Sequence, residues 1–183
     1  MAKQFSSIEP HIARFIERQK IFFAGSATAE SRVNISPRST DALRVLDANT
    51  VCYLDLTGSG SETSAHLLAD GRMTIMFCAF EGPPMILRLY GKGRSLFHGT
   101  PEYQARLEAS YDGQAPLGAR QIVVLEADLV QTSCGYAVPT FEHTGERDVL
   151  ANWAETKGVE GLKDYRAEKN QVSLDGLPTG MPA

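Results

Sequence analysis

The stretch YLDLTGSGSETSAHL, Tyr53 to Leu67, joins an apolar run to an amphipathic one through the small residues that follow Thr57. Its first part extends back into "TVCYLDL" and has the apolar, β-branched content of a strand. Ser59 and Glu62 then stand in the relation S-x-x-E, in which the hydroxyl accepts from the Glu62 N–H and the carboxylate reaches back, so a helix is predicted to start at Gly60 or Ser61. The first turn of a helix presents N–H groups without intrahelical acceptors. Gly58 and Gly60 let a ligand approach the main chain there, and Thr57, Ser59, Ser61 and Thr63 add hydroxyls. Such a turn suits a phosphate-sized anion held without a Walker lysine. It equally suits a plain capped helix after a tight turn, and the stretch alone leaves both readings open.

On either side of it the chain reads as short strands. "KIFFAGSATA", "SRVNIS" and "ALRVLD" precede it, with Pro37 to Asp41 as a turn that carries Arg38, and "RMTIMFCAF", "MILRLYGKGRSLF" and "RQIVVLEADLVQTS" follow. Six or seven antiparallel strands at this spacing favour a closed barrel. Ile8, Ile12, Phe15 and Ile16 recur at helical spacing behind Ser7, which predicts an N-capped helix ending near Gln19. "PEYQARLEASY" is a second helix, with Thr100 as N-cap and Pro101 at its first position. From Gly145 the pattern becomes two helical segments separated by Gly158 and a Pro/Gly-rich tail. Residues 1–140 form one unit on this reading and residues 141–183 a helical C-terminal extension.

Composition narrows the function. A chain of 183 residues with 43% hydrophobic content buries a real core, and a net charge of −4 without a Lys/Arg block argues against nucleic acid. No apolar run reaches the roughly 18 residues that span a bilayer, and the polar N-terminus lacks a secretory core, so a soluble cytoplasmic protein is expected. Cys52, Cys78 and Cys134 have neither disulfide nor zinc spacing and read as free thiols. His66 has no Cys or carboxylate at ligand spacing, so no metal site is expected. Arg38 is the best cation for an anion near the opening stretch, by bidentate reach, although a solvated turn residue fits the same position. Arg88 and Tyr90 share one strand face, either toward a cofactor or toward solvent. Cys134 and Tyr136 open a loop that either covers a site or is a plain surface turn. Trp153, with Val149 and Leu150, reads as a packing anchor.

In order, "FFAGSATAESRVNISPRS", "VLDANTVCYLDLTGSGSETSAHL" and "GRMTIMFCAFEGPPMILRLYGKGR" resemble the pyridoxamine 5'-phosphate oxidase-related flavoproteins, the FMN-binding split-barrel family. The resemblance covers about Phe5 to Gln131, and "SCGYAVPTFEHTGERD" resembles a subgroup of uncharacterised bacterial members. It implies a mainly β fold, a split barrel of six or seven antiparallel strands with short helices, the C-terminal extension packing on the barrel or on a dimer partner. It also implies a homodimer with FMN at the interface, the phosphate held by the second strand, the strand before the inserted helix and the first turn of that helix. By position this points to Asn34, Ile35, Ser36 and Arg38, to Leu56 and Thr57, and to Ser61, Glu62 and Thr63, with His66 either facing the flavin or half exposed. Many members carry Arg-Lys, or at least a Lys, where this chain has Glu62 and Thr63, so phosphate neutralisation falls on Arg38 and the helix end. The tail "LPTGMPA" lacks the basic and aromatic residues that grip the oxidase's substrate phosphate, so pyridoxamine 5'-phosphate oxidation itself is not expected. The expected function is an FMN-dependent oxidoreductase with an unassigned substrate; the alternative is a non-catalytic flavin- or haem-binding protein on the same fold.

Overall fold

The computed structural model describes residues 2–182. Eight antiparallel strands, β1 Lys3–Phe5, β2 Ile21–Ser26, β3 Asn34–Ser39, β4 Leu43–Val45, β5 Thr50–Leu56, β6 Arg72–Cys78, β7 Ile86–Phe97 and β8 Ala119–Ser133, form one sheet in the order β3-β2-β6-β7-β8-β5-β4, with β1 added on β8. The expected strands are present, and β1 is one that three residues of pattern do not announce. The path ends at β3 and β4, which do not pair, so the sheet curls without hydrogen-bonded closure: the barrel is split rather than closed. The chain passes between these two edges through a single 3-10 turn, Thr40–Ala42. The turn expected at Pro37 to Asp41 therefore lies further on, and Arg38 stands on a strand. Pro37 is tolerated because β3 is an edge whose missing N–H disturbs no second ladder.

The runs "TVCYLDL" and "RQIVVLEADLV" are apolar throughout because both of their faces are covered. Val51 and Tyr53 of β5 and Val123 and Leu125 of β8 point into the barrel, where Phe22, Ile75, Phe77, Leu87 and Leu89 meet them. Cys52, Leu54, Ile122 and Val124 point the other way, onto Tyr103, Leu107 and Tyr111 of a helix over Pro101–Tyr111. Each of those three helical side chains gains about 1.5 to 3 kcal/mol from burial. That helix has the expected Thr100 cap, whose hydroxyl accepts from the Tyr103 N–H at 3.2 Å.

The helix α1 spans Pro10–Arg18 and places Ile12, Phe15 and Ile16 in the barrel core. Its N-cap is Glu9 without a side-chain hydrogen bond, so the cap expected at Ser7 is corrected: Pro10 at the first position sets the start. The inserted helix α2 spans Glu62–Ala69, α3 is the Pro101–Tyr111 helix, and α4 spans Val149–Lys169 with a break at Gly158 (φ 65°). Val149 and Leu150 are exposed, so they make no apolar stripe; α4 buries Ala154 and Leu162 instead, and Trp153 packs edge-on against Tyr165 at 5.1 Å. The three cysteines are unpaired. No helix among the described residues is long and apolar enough to cross a membrane.

Candidate functional site

Along β3 the side chains alternate. Ile35 is exposed on the outer face, while Asn34, Ser36 and Arg38 turn inward toward α2 and β5. The Asn34 amide donates to Thr63 Oγ1 at 3.1 Å and to Ser36 Oγ at 3.3 Å, which brings three of the expected residues into one polar group. The backbone N–H groups of Glu62, Thr63 and Ser64 have no acceptor among the described residues, as the first turn of a helix requires when nothing caps it.

Arg38 lies further along, its Nη1 at 2.5 Å from Asp55 Oδ1 and its guanidinium carbon 5.2 Å from the Tyr53 ring centre. Asp55 is 1% exposed. Its other oxygen accepts from Arg120 Nε at 2.8 Å and Gln121 Nε2 at 2.7 Å. Burial acts to raise this carboxyl, yet Arg38 and Arg120, with the Gln121 hydrogen bond, outweigh it and hold it below the ordinary carboxylate range. Burial acts against the charge on Arg38, but Asp55 outweighs it and raises the guanidinium further. Burial pushes the Tyr53 hydroxyl up to about 12, so it is a neutral phenol at physiological pH.

The remaining candidates are placed differently. The helix cap is one residue pair removed from expectation: Ser61, not Ser59, is the N-cap, and Glu62 Oε2 accepts from the Ser61 N–H at 3.0 Å. The C-terminal segment crosses this turn, with Ser61 Oγ donating to the Val172 carbonyl at 3.3 Å and the Leu174 N–H donating to Glu62 Oε1 at 3.3 Å. Thr57 is buried, donates to the Gly118 carbonyl at 2.8 Å and accepts from Arg166 Nη1 at 3.3 Å. Leu56 packs against the α3-side core and Ile35 faces outward, so neither joins the polar group. His66 is fully buried, not half exposed, with Nδ1 at 3.0 Å from Ser26 Oγ. Arg88 and Tyr90 face away from the core occupied by Leu87 and Leu89, and bond to Ser133 and Gln131.

The sequence reading missed Asp55, Arg120, Arg166 and Asn170. Arg120 bonds the Gly58 and Gly60 carbonyls at 3.3 and 2.6 Å and Asn170 Oδ1 at 3.0 Å; Asn170 in turn donates to the Gly58 carbonyl at 3.0 Å. Neither Gly58 nor Gly60 has a positive φ, and their carbonyls, rather than left-handed torsions, are what this loop contributes. Two arginines, Arg38 and Arg120, thus share one fully buried carboxylate, and Arg166 lies beside them on Thr57. Burial first, and then repulsion from Arg120, lower Arg166.

A cleft of about 1120 Å³ opens beside Arg38, between the end of α1, the end of β3, the β6–β7 turn and the segment around residues 141–147. Arg38 therefore belongs both to the polar row of β3 and to the wall of the cleft.

Comparison with known proteins bears on the fold and the family. The family model described as pyridoxamine 5'-phosphate oxidase matches residues 8–134. The pyridoxamine 5'-phosphate oxidase family protein ustO of Aspergillus flavus is 34% identical over 190 residues, covering 95% of this chain and 76% of that one, so the similarity runs through the C-terminal extension. Among solved structures, HupZ of Group A Streptococcus superposes with a TM-score of 0.53 at 18% identity, covering 67% of this chain and 91% of that one. A Lactobacillus delbrueckii protein provisionally assigned as a pyridoxamine 5'-phosphate oxidase superposes with a TM-score of 0.52 at 13% identity, covering 69% and 94%. The two structures share the fold. With a family model covering well over half of its length and a relative matched nearly end to end, the chain belongs to the pyridoxamine 5'-phosphate oxidase family.

Proposed function

We propose that the protein is a flavin-dependent oxidoreductase that holds FMN by its phosphate at the junction of β3 and α2. The observation that carries this reading is the meeting of Asn34, Ser36 and Thr63 with three N–H groups of α2 that have no acceptor among the described residues. The donor set fits a phosphate. Hydroxyls and an amide converge on a helix start, the helix dipole favours an anion, and Arg120 stands on the Gly60 carbonyl just before it. Arg38 adds a buried Nε without a hydrogen-bond partner, while Asp55 keeps its guanidinium in place. Glu62 spends both carboxylate oxygens on the Ser61 and Leu174 amides, which offsets part of its repulsion toward a neighbouring anion.

When bound, FMN supplies hydride or electron transfer at its ring. The residues of β3 and α2 fix its phosphate, Arg38 supplies a permanent positive charge further along the same strand, and Tyr53 beneath it stays protonated. The fully buried ring of His66 favours packing and a Ser26 hydrogen bond over contact with a cofactor face. Pyridoxamine 5'-phosphate oxidation is not part of this reading.

Arg38→Ala is expected to weaken FMN binding by roughly 1.5 to 3 kcal/mol, the worth of a charge-assisted hydrogen bond. Fluorescence titration at fixed salt reads this, and an unchanged affinity removes Arg38 from the site. Reduction of the bound flavin by NADH or NADPH separates an oxidoreductase from a protein that only stores flavin.

The reading includes a homodimer. Val33 and Ile35 are 70% and 65% exposed beside the edge strand β3, over a groove shared with Phe23 and Met76, and a second copy covers this apolar face. Light scattering at twice the chain mass is the expected result, and a monomer that binds FMN undiminished contradicts it.

A further inference from the structure

The hairpin that follows α4, residues 170–179, ties together the two walls of the β3–α2 junction. Its base is fixed. Asn170 and Thr179 are fully buried, Thr179 Oγ1 donates to the Asn170 carbonyl at 2.7 Å, and the Thr179 N–H donates to the Gln171 carbonyl at 3.1 Å. The Asn170 side chain fastens this base to the core through the Gly58 carbonyl and Arg120. From there the chain runs out and returns, with Val172 bridged to Pro178 and the Ser173 N–H on the Leu177 carbonyl at 2.9 Å. It turns at Gly176, whose φ of 81° suits glycine, and Ser173 Oγ holds the turn by accepting from the Leu177 N–H at 3.1 Å.

The tip is held differently. Leu174 is 75% exposed, so burial of its side chain does little to keep the tip down, and polar contacts to two elements do so instead. On one wall the Leu174 N–H donates to Glu62 Oε1 at 3.3 Å, next to Ser61 Oγ on the Val172 carbonyl. On the other, Asp175 accepts from the Arg32 backbone N–H at 2.8 Å and pairs with the Arg32 guanidinium. Arg32 lies two residues before Asn34, on the link into β3. The tip therefore reaches from the first residue of α2 to the entry of β3, the two elements that bring Asn34, Ser36 and Thr63 together. The Arg32 side chain is largely exposed, and a pair in water is weak. A buried base with a weakly held, exposed tip is a lever: the tip lifts while the base stays in place.

We infer that this hairpin is a latch across the β3–α2 junction, closed by Asp175 on Arg32 and by Leu174 on Glu62, whose opening sets the rate at which a phosphate-bearing ligand enters and leaves. The contacts that close it are with protein groups on the two walls, so loosening it speeds entry and exit alike and leaves affinity nearly unchanged. Control of FMN exchange rests on the proposed flavin site; the latch itself does not.

Stopped-flow fluorescence of FMN association and dissociation on the full chain tests it. Asp175→Ala is expected to raise both rate constants about fivefold and to leave Kd within about twofold, because a surface pair and its backbone hydrogen bond are lost. Arg32→Lys keeps the cation and the backbone N–H and stays near wild type. Arg32→Ala combined with Asp175→Ala is no faster than Asp175→Ala alone, since the two residues make one contact. On the flavin-free protein, hydrogen exchange of the Leu174 N–H followed by NMR reads the same opening, because Asp175→Ala leaves its acceptor Glu62 in place. That exchange should quicken about fivefold. FMN rates unchanged by Asp175→Ala overturn the inference, and so does unchanged Leu174 exchange. A rise in dissociation alone also overturns it, by making the hairpin part of the phosphate seat. Failure of wild type to bind FMN, with faster Leu174 exchange in the variant, counts against the flavin reading alone.

Discussion

Asp55→Ala is expected to lower the stability of the fold by about 3 to 5 kcal/mol, a large part of what a domain of this size has, because it leaves the buried Arg120 and the half-buried Arg38 without their shared carboxylate. Gln121 loses an acceptor at the same time, and Arg120 keeps only carbonyls and Asn170. Urea unfolding reads the loss as a lower midpoint. A midpoint within experimental error of wild type would show that Arg38 and Arg120 find other acceptors. The same carboxylate makes the protein acid-labile. A carboxyl depressed by folding contributes stability that is fully present above its unfolded value, near 3.9, and is lost as pH falls through the lower folded value. Wild type should weaken below about pH 4, and Asp55→Ala should lack that component of the acid dependence.

Gly91→Ala is the second large effect. The β7–β8 register shifts between Tyr90 and Gly91, Asp128 is the extra residue, and the two backbones come close together there. A Cβ at position 91 would overlap the Glu126 carbonyl oxygen and stand 2.8 Å from its carbon and 2.9 Å from the Ala127 Cα. Backbone cannot swing aside as a side chain does, so the expected destabilisation is about 3 kcal/mol, at the upper end for an added methyl. Gly58→Ala is the control: a Cβ there meets nothing within 4 Å, and its unfolding midpoint should stay near wild type. Equal midpoints for the two variants would mean that the bulge relaxes freely.

Most of the strands were legible because their apolar runs are long and bounded by Gly, Pro and Asp. What the alternation could not show is how the sheet ends. Closure depends on whether β3 and β4 pair, which no local pattern states; the Arg38–Asp55 contact instead ties β3 to β5, the neighbour of β4. Asp55 itself was within reach, since it shares the inward parity of Val51 and Tyr53 on β5. Arg120 was not. Simple alternation puts it on the α3 face with Ile122 and Val124, but the β5–β8 register shifts between Asp55 and Leu56, leaving Arg120 as the unpaired residue of a bulge that re-aims it toward Asp55.

Asn34, Ile35, Ser36 and Arg38 follow from the family resemblance by position; the strand then turns Asn34, Ser36 and Arg38 to one face and Ile35 to the other, because a strand offers every second residue to one face. The cap at Ser59 failed because Glu62 has a competing partner far away in sequence, the Leu174 amide of the C-terminal segment. Contacts of that range, including Asn170 on Gly58, leave no trace in a local motif.

The central claim is that the junction of β3 and α2 grips the phosphate of a flavin. Its most direct test is a pair of titrations, FMN and riboflavin, on wild type and on Arg38→Ala under one salt condition. The two ligands share a ring system and differ by the phosphate, so the ratio of their affinities isolates the proposed contact. Wild type should bind FMN at least about tenfold more tightly than riboflavin, and Arg38→Ala should shrink that ratio. Equal affinity of wild type for the two flavins would contradict the account.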